Sequence, residues 1–288
     1  MNRAEKRRQK KLAKKVAWNA KLGKTTIRSP RQQTLATQES IAVALQHHNA
    51  GRLSQAEGIY QQIVQDDPNQ PVALNLLGMI SQQVGKNDIA VDFITKALTI
   101  KPDYFEAHSN LGNTLKALGC LDEAVASYHK ALAIKPDYFE AHNNLGNALQ
   151  KLGRLDEAVA SFHKVIAIKP DAALAHNNLG NALQELGQRH EAVTYHRRAV
   201  AFDPQNDLLW AGLAESVKYF SFTSVDDNLL QDLWNLLEQS TVDPYYLSQP
   251  IISALRHHPD FSQILELTGS GKLEIGIAYG DVAEQLSA

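Results

Sequence analysis

The chain has 288 residues, 44% of them hydrophobic, and its 29 lysines and arginines nearly balance its 31 acidic residues. Its one cysteine, Cys120, cannot form an internal disulfide, so cysteine usage gives no argument for secretion. No stretch has the length and apolar character of a membrane span or a secretory signal, so a cytoplasmic protein is expected.

The first segment is strongly basic. Residues 1–31 contain twelve lysines and arginines and one acid, Glu5, so they carry +11 and the rest of the chain carries −13. We assign residues 1–33 to a basic arm, disordered or helical. Three interpretations stay open: a solvated extension, a contact with nucleic acid or anionic lipid, and a segment that folds back on the acidic body.

The next segment repeats with a period of 34 residues. The period is set by Pro68, Pro102, Pro136, Pro170 and Pro204. With this proline at position 32, the five repeats are 37–70, 71–104, 105–138, 139–172 and 173–206, together residues 37–206. Each has glycine at position 15, and glycine and proline are both typical of helix ends. We therefore predict two antiparallel helices per repeat, helix A and helix B.

The pattern resembles the tetratricopeptide repeat family, which has small residues at positions 8, 20 and 27, an aromatic residue at 24 and a proline near 32. This resemblance implies an all-α fold, a right-handed superhelical solenoid of antiparallel helix pairs stabilised by stacking. It also implies that helix A lines the concave face. Rings at position 24, such as Tyr128 and Phe162, are expected to fill the space between repeats, with His196 in that slot of the fifth repeat.

Beyond the repeats the period is lost. Residues 207–239 are predicted to form a divergent sixth unit with capping helices, because Trp210 occupies position 4 and apolar residues follow at helical spacing. Residues 240–288 are interpreted as a helical extension, or as a linker to a further domain. Gly271 and Lys272 lack the other residues of a phosphate-binding loop, and no cofactor is expected.

Asparagines and other polar residues recur on one face of helix A, because positions 2, 5, 9, 12 and 13 share that face of a 3.6-residue helix. A carboxamide both donates and accepts, so it can pair with the backbone of an extended peptide of any sequence. The candidate peptide-binding residues are Asn75, Asn113, Asn143, Asn147, Asn177, Asn181, Lys116, Gln150 and Gln184. Alternatively, the asparagines bond to one another or to neighbouring helices and stiffen the stack.

The run Asn-Leu-Gly-Asn occurs at 110–113, 144–147 and 178–181. It is similar to the run on the inner surface of the repeat region of O-GlcNAc transferase, where such asparagines hold an extended peptide. The similarity implies the same use here for positions 5 and 9. Position 6 is expected to turn sideways.

Histidines recur at position 4, as His108, His142 and His176. Equivalent positions of successive repeats are separated by two helix-packing distances of about 8–10 Å each, far beyond the roughly 2 Å ligand distance of a zinc ion. We therefore expect packing roles for these histidines and no metal.

The leading functional hypothesis is a non-catalytic scaffold that binds an extended peptide or a partner protein along an asparagine-lined concave groove. One alternative is the substrate-recognition portion of a transferase, either a glycosyltransferase like O-GlcNAc transferase or a sulfotransferase or methyltransferase. A second is nucleic-acid or anionic-surface binding through residues 1–31. No paired carboxylates, nucleophile with its base, or metal cluster stand out, which favours the scaffold.

Overall fold

The computed structural model describes residues 30–218 and the positions Asp232, Leu233, Asn235, Leu236 and Ile251. These described residues contain eleven α-helices and no strand. The helices are α1 (Pro30–Asn49), α2 (Leu53–Asp66), α3 (Pro71–Gln83), α4 (Asn87–Ile100), α5 (Phe105–Ala117), α6 (Leu121–Ile134), α7 (Phe139–Lys151), α8 (Leu155–Ile168), α9 (Ala173–Glu185), α10 (Arg189–Phe202) and α11 (Asp207–Val217). Nearly all of the basic arm, and all but five residues beyond 218, lie outside this description.

The helix boundaries follow the glycine at position 15 and the proline at position 32. The five glycines have backbone φ between +72° and +81°, a region that side chains disfavour. In the third repeat the Cys120 N–H donates to the Leu115 carbonyl at 2.9 Å across Gly119, which closes helix A. Helix B ends two residues before the proline, as α6 does at Ile134 before Pro136.

Helix α1 is the exception at its N-terminal end. It begins at Pro30, within the predicted arm and upstream of residue 37, where the first repeat was placed. Proline is favourable in the first turn of a helix because its missing N–H would have no partner there. The residue one period before Pro68 is Thr34, so no position-32 proline interrupts α1.

The chain divides into two compact units, Met1–Pro102 and Asp103–Ala288. The N-terminal unit contains α1 to α4, and Ala44, Ala56 and Tyr60 are fully buried in its core. The C-terminal unit contains α5 to α11, and Tyr128 and Phe162 are fully buried there. Within each unit, helix A packs on helix B of its own repeat and helix B packs on the next helix A. The predicted all-α fold of stacked helix pairs is confirmed. None of the described helices is both long and apolar enough to cross a membrane.

The ring at position 24 packs on the glycine at position 8 of its own repeat. A methyl group built on Gly112 would lie 2.6 Å from the Tyr128 ring, and one on Gly180 would lie 2.6 Å from His196. His196 also approaches Gly212 on the following helix A, to within 3.2 Å of such a methyl group. The ring therefore fills the space within its repeat as well as the predicted space between repeats.

In the fourth and fifth repeats and in the sixth helix A, the position-4 side chain contacts the proline carbonyl of the preceding repeat. His142 Nε2 lies 2.9 Å from the Pro136 carbonyl oxygen, and His176 Nε2 lies 2.8 Å from the corresponding proline carbonyl. In the sixth helix A, Trp210 Nε1 donates to the Pro204 carbonyl at 2.9 Å. Each proline carbonyl therefore takes part in one side-chain contact between consecutive repeats, in addition to the apolar packing.

Beyond α11, two described leucines pack on the last two helices, α10 and α11. Leu233 and Leu236 are buried against apolar side chains of α10 and α11. Asp232 forms an ion pair with Arg197 of α10. Trp234 and the remaining residues of the predicted cap lie outside the described residues.

Candidate functional site

Three asparagines occupy position 9 of consecutive helices A in the C-terminal unit. Asn113 lies on α5, Asn147 on α7 and Asn181 on α9, and each is partly exposed. We call these three residues the asparagine row. Their exposure leaves carboxamide atoms within reach of a molecule outside the protein.

The residue at position 24 decides whether an asparagine of the row is hydrogen-bonded. The Tyr128 hydroxyl donates to Asn113 Oδ1 at 2.8 Å, and His196 Nε2 lies 3.1 Å from Asn181 Oδ1. Phe162 has no polar atom, and the Asn147 carboxamide makes no hydrogen bond to any described residue. The row therefore contains two anchored carboxamides with one unanchored carboxamide between them.

His196 is fully buried, and burial lowers its pKa to about 4, an effect that the backbone carbonyl of Asn177 partly opposes. The ring is therefore neutral at pH 7. Because Asn181 Oδ1 can only accept, the ring proton is assigned to Nε2, which donates to it.

The position-5 asparagines were predicted to share the peptide-binding surface with position 9, but their burial differs from that of the asparagine row. Asn75, in the N-terminal unit, is 2% exposed, and Asn177 is 4% exposed. Asn177 Oδ1 faces the next helix A, where a methyl group on Gly212 would lie 2.4 Å from it. Asn143 is partly exposed, but its Oδ1 accepts from Asn178 Nδ2 at 3.1 Å. Position 5 turns toward neighbouring helices, so Asn75 and Asn177 are sealed from a ligand on the surface.

Lys116 lies between two helices A. Its ammonium is 3.5 Å from Asn144 Oδ1 of the next repeat, a long contact to a neutral acceptor. Burial and, secondarily, the charge of Lys151 lower the pKa of Lys116. With Asn178, Asn144 shows position 6 reaching sideways to the adjacent helix, as expected.

The two candidate glutamines differ in their contacts. Gln150 Nε2 donates to Glu185 Oε1 of the following helix A. Gln184 is partly exposed and makes no hydrogen bond to a described residue. Gln184 is thus free to contact a ligand, whereas Gln150 would first have to leave Glu185.

The link between positions 24 and 9 was missed in the sequence. Its signal is a tyrosine or histidine, rather than a phenylalanine, at position 24 of a repeat that has asparagine at position 9. In the N-terminal unit, Tyr60 accompanies Leu45, and the buried Tyr60 hydroxyl has no partner. That burial raises the pKa of Tyr60 to about 12.

This contrast gives a stability prediction. Tyr128→Phe should lower the free energy of unfolding by about 1 kcal/mol, because Asn113 loses its donor. Tyr60→Phe removes a buried hydroxyl that has no partner, so it should leave stability unchanged or raise it by up to about 1 kcal/mol. Urea denaturation of the two variants measures the difference. Equal losses from both would contradict the assigned role of the Tyr128 bond.

Other features of the described residues do not coincide with the row. A shallow cleft of about 490 Å³ lies against α1 and α2, and no candidate peptide-binding residue lines it. Within residues 30–218 and the five described positions beyond, no group of three or more histidines, cysteines or acids could hold a metal ion.

Three family models match the repeat region. One, described as TPR repeat, matches residues 112–153, and two, described as tetratricopeptide repeat, match residues 137–205 and 72–104. A search of curated proteins found no match.

Solved structures share the fold. The crystal structure of MamA is 25% identical, with a TM-score of 0.52, covering 57% of this chain and 95% of that chain. PilF of Pseudomonas aeruginosa is 18% identical, with a TM-score of 0.63, covering 74% of this chain and 96% of that chain. YrrB, described as a TPR protein with an unusual peptide-binding site, is 23% identical, with a TM-score of 0.51 and coverages of 62% and 96%. The latter two likenesses concern the fold alone.

Proposed function

Because the chain belongs to the tetratricopeptide repeat family, we propose that it is a non-catalytic scaffold that binds an extended peptide segment of a partner protein along the asparagine row. Asn113, Asn147 and Asn181 contact the peptide backbone in this proposal. Gln184, Lys116 and Asn143 lie beside the row and contact side chains. Asn75 and Asn177 are excluded from the proposed contact surface because they are buried.

The observation that carries the proposal is Asn147. Its carboxamide is partly exposed and makes no hydrogen bond to a described residue, although the same side chain is anchored one repeat before and one repeat after. An amide without a protein partner is available to a ligand at no cost in internal hydrogen bonds. An extended peptide backbone supplies both a donor and an acceptor for it.

The spacing of the helices suits an extended chain. Neighbouring helices A contact each other directly, as the 3.1 Å bond between Asn178 and Asn143 requires. Equivalent positions of these repeats are therefore about one helix-packing distance apart, and the two distances expected from the sequence are wrong here. Directly packed helices lie about 10 Å apart, and a strand advances about 3.3 Å per residue. Three peptide residues therefore span one repeat, and a peptide of about seven residues reaches all three asparagines.

Variable positions beside the row would add selectivity. Position 2 holds the exposed acid Glu140 on α7 but Leu174, which is 53% exposed, on α9. Position 13 holds Lys151 on α7 and Glu185 on α9. A ligand therefore meets different charge and polarity from one repeat to the next, which favours one direction of binding.

The proposal is tested first with Asn147→Ala. The full chain is applied to an array of random twelve-residue peptides, and the strongest binder is synthesised with a fluorescent label. We expect Asn147→Ala to weaken binding of that peptide about tenfold, since one or two hydrogen bonds are lost, without changing the urea midpoint.

The control is Gln65→Ala, which removes an exposed amide from α2 in the N-terminal unit and should leave affinity unchanged. No bound peptide on the array, or an Asn147→Ala affinity equal to that of the unchanged protein, would refute the peptide-binding role of the row.

A further inference from the structure

The rings at position 24 occupy the same place in three consecutive repeats. Methyl groups built on Gly112, Gly146 and Gly180 would each lie 2.6 Å from the ring of their own repeat. Tyr128, Phe162 and His196 are all fully buried. The three ring positions therefore differ mainly in the polar atom, if any, that the ring directs at the asparagine at position 9.

The polar atom of the position-24 ring fixes the oxygen atom of the carboxamide at position 9. Tyr128 and His196 each contact Oδ1, at 2.8 and 3.1 Å. A carboxamide is planar, and its oxygen and nitrogen point about 120° apart. When Oδ1 is held against the ring, the Nδ2 amino group points away from the ring with its two N–H donors.

We infer that Tyr128 and His196 are positioning residues that present the amino groups of Asn113 and Asn181 to the ligand, so that these two sites bind hydrogen-bond acceptors such as peptide carbonyl oxygens. Asn147, beside Phe162, turns freely and binds either an acceptor or a donor. This inference rests on the proposed function and specifies which atoms of the peptide are recognised.

Recognition of carbonyl oxygens indicates which class of peptide the row can bind. A segment recognised through its carbonyl oxygens does not need backbone N–H groups at the two anchored sites. Proline supplies carbonyls without N–H groups, and proline-rich chains are already extended. The row should therefore accept proline-rich segments as readily as alanine-rich ones.

The orientation of the carboxamides is testable in the free protein. Side-chain ¹⁵N relaxation of the full chain should give order parameters near 0.8 for Asn113 and Asn181 and below about 0.6 for Asn147. Tyr128→Phe should reduce the value for Asn113 to that of Asn147, and Phe162→Tyr should raise Asn147 to that of Asn113. Tyr128→Phe leaving Asn113 ordered, or Asn147 being as ordered as Asn113 in the unchanged protein, would overturn the positioning role.

Binding tests the acceptor preference. The probes are two labelled, capped twelve-residue peptides, one alternating serine with proline and the other alternating serine with alanine. Both should bind within about threefold of each other, and Tyr128→Phe should weaken both about threefold because the anchored orientation is lost. Binding of the alanine peptide with no binding of the proline peptide would show that peptide N–H groups are recognised, which contradicts the inference.

The peptide-binding function and the positioning role of Tyr128 and His196 can be refuted separately. If no peptide of the random array binds while the relaxation pattern is as expected, the proposed function falls and the positioning of the carboxamides stands. If both peptides bind and Asn147→Ala weakens them, but Tyr128→Phe changes neither affinity nor order, the proposed function stands and the positioning role falls.

Discussion

Replacing Gly146 by alanine is expected to lower the free energy of unfolding of the C-terminal unit by about 3 kcal/mol. The new methyl group would lie 2.6 Å from the Phe162 ring, closer than carbon atoms can approach. Phe162 is fully buried beside Ala158 and Leu179, so the ring cannot move aside without disturbing its neighbours. Overpacking of this kind costs about 1–3 kcal/mol, and a backbone-anchored methyl against a rigid ring is at the upper end.

Two other glycines provide matched controls for this measurement, which is made by urea denaturation of the full chain. Gly58 lies within α2 with no atom within 4 Å of an added methyl, so Gly58→Ala should stabilise the helix by up to about 1 kcal/mol. Gly153 also has open space, but its φ of +73° strains any side chain, so Gly153→Ala should cost about 1 kcal/mol. A Gly146→Ala variant as stable as Gly58→Ala would show that the ring at position 24 does not need the glycine at position 8.

Acidification from pH 6.5 to pH 4 is expected to remove up to about 3 kcal/mol of stability from the C-terminal unit through His196. The pKa of this histidine is about 4 in the folded chain and 6.5 as a free side chain, so the unfolded chain takes up the proton first. The contribution is fully present above pH 6.5 and is lost progressively as the pH falls to 4. The physical cause is burial, since a charged imidazolium in this site would lose its hydration.

His196→Phe, which reproduces the residue at the same position of the fourth repeat, should abolish this part of the pH dependence. Urea midpoints at several pH values between 4 and 7 measure it. Replacing His129, an exposed histidine on α6, by glutamine is the control and should leave the acid-induced loss in place. An unchanged loss in His196→Phe would assign the effect to other groups.

The sequence was sufficient to predict where the helices of the repeats end, because each C-terminal end depends on one residue. Gly119 permits the positive φ that closes α5, and Pro136 stops α6, whatever the surroundings. The start of α1 at Pro30 was not predicted, because neither a position-15 glycine nor a position-32 proline precedes it at the 34-residue period. Helix boundaries could therefore be predicted where a glycine or proline at a fixed position of the repeat ends the helix.

The candidate site was predictable only in part. Positions 5 and 9 lie four residues apart on the same side of helix A, so periodicity alone could not separate buried Asn177 from partly exposed Asn181. That distinction depends on how closely the next helix A approaches, and Gly212, which has no side chain, permits a close approach at Asn177. The hydrogen bond from Tyr128 to Asn113 joins two helices and likewise has no local signature.

The bond from a position-4 ring to the preceding proline carbonyl has an evolutionary consequence. His142, His176 and Trp210 make the same junction three times, each with an acceptor six residues earlier in the chain. A gene duplication that copies a whole 34-residue segment therefore carries both halves of the joint with it. Adding or removing one whole repeat therefore requires no new residues at the junction between repeats. The close similarity of segments 105–138 and 139–172 is consistent with such a duplication.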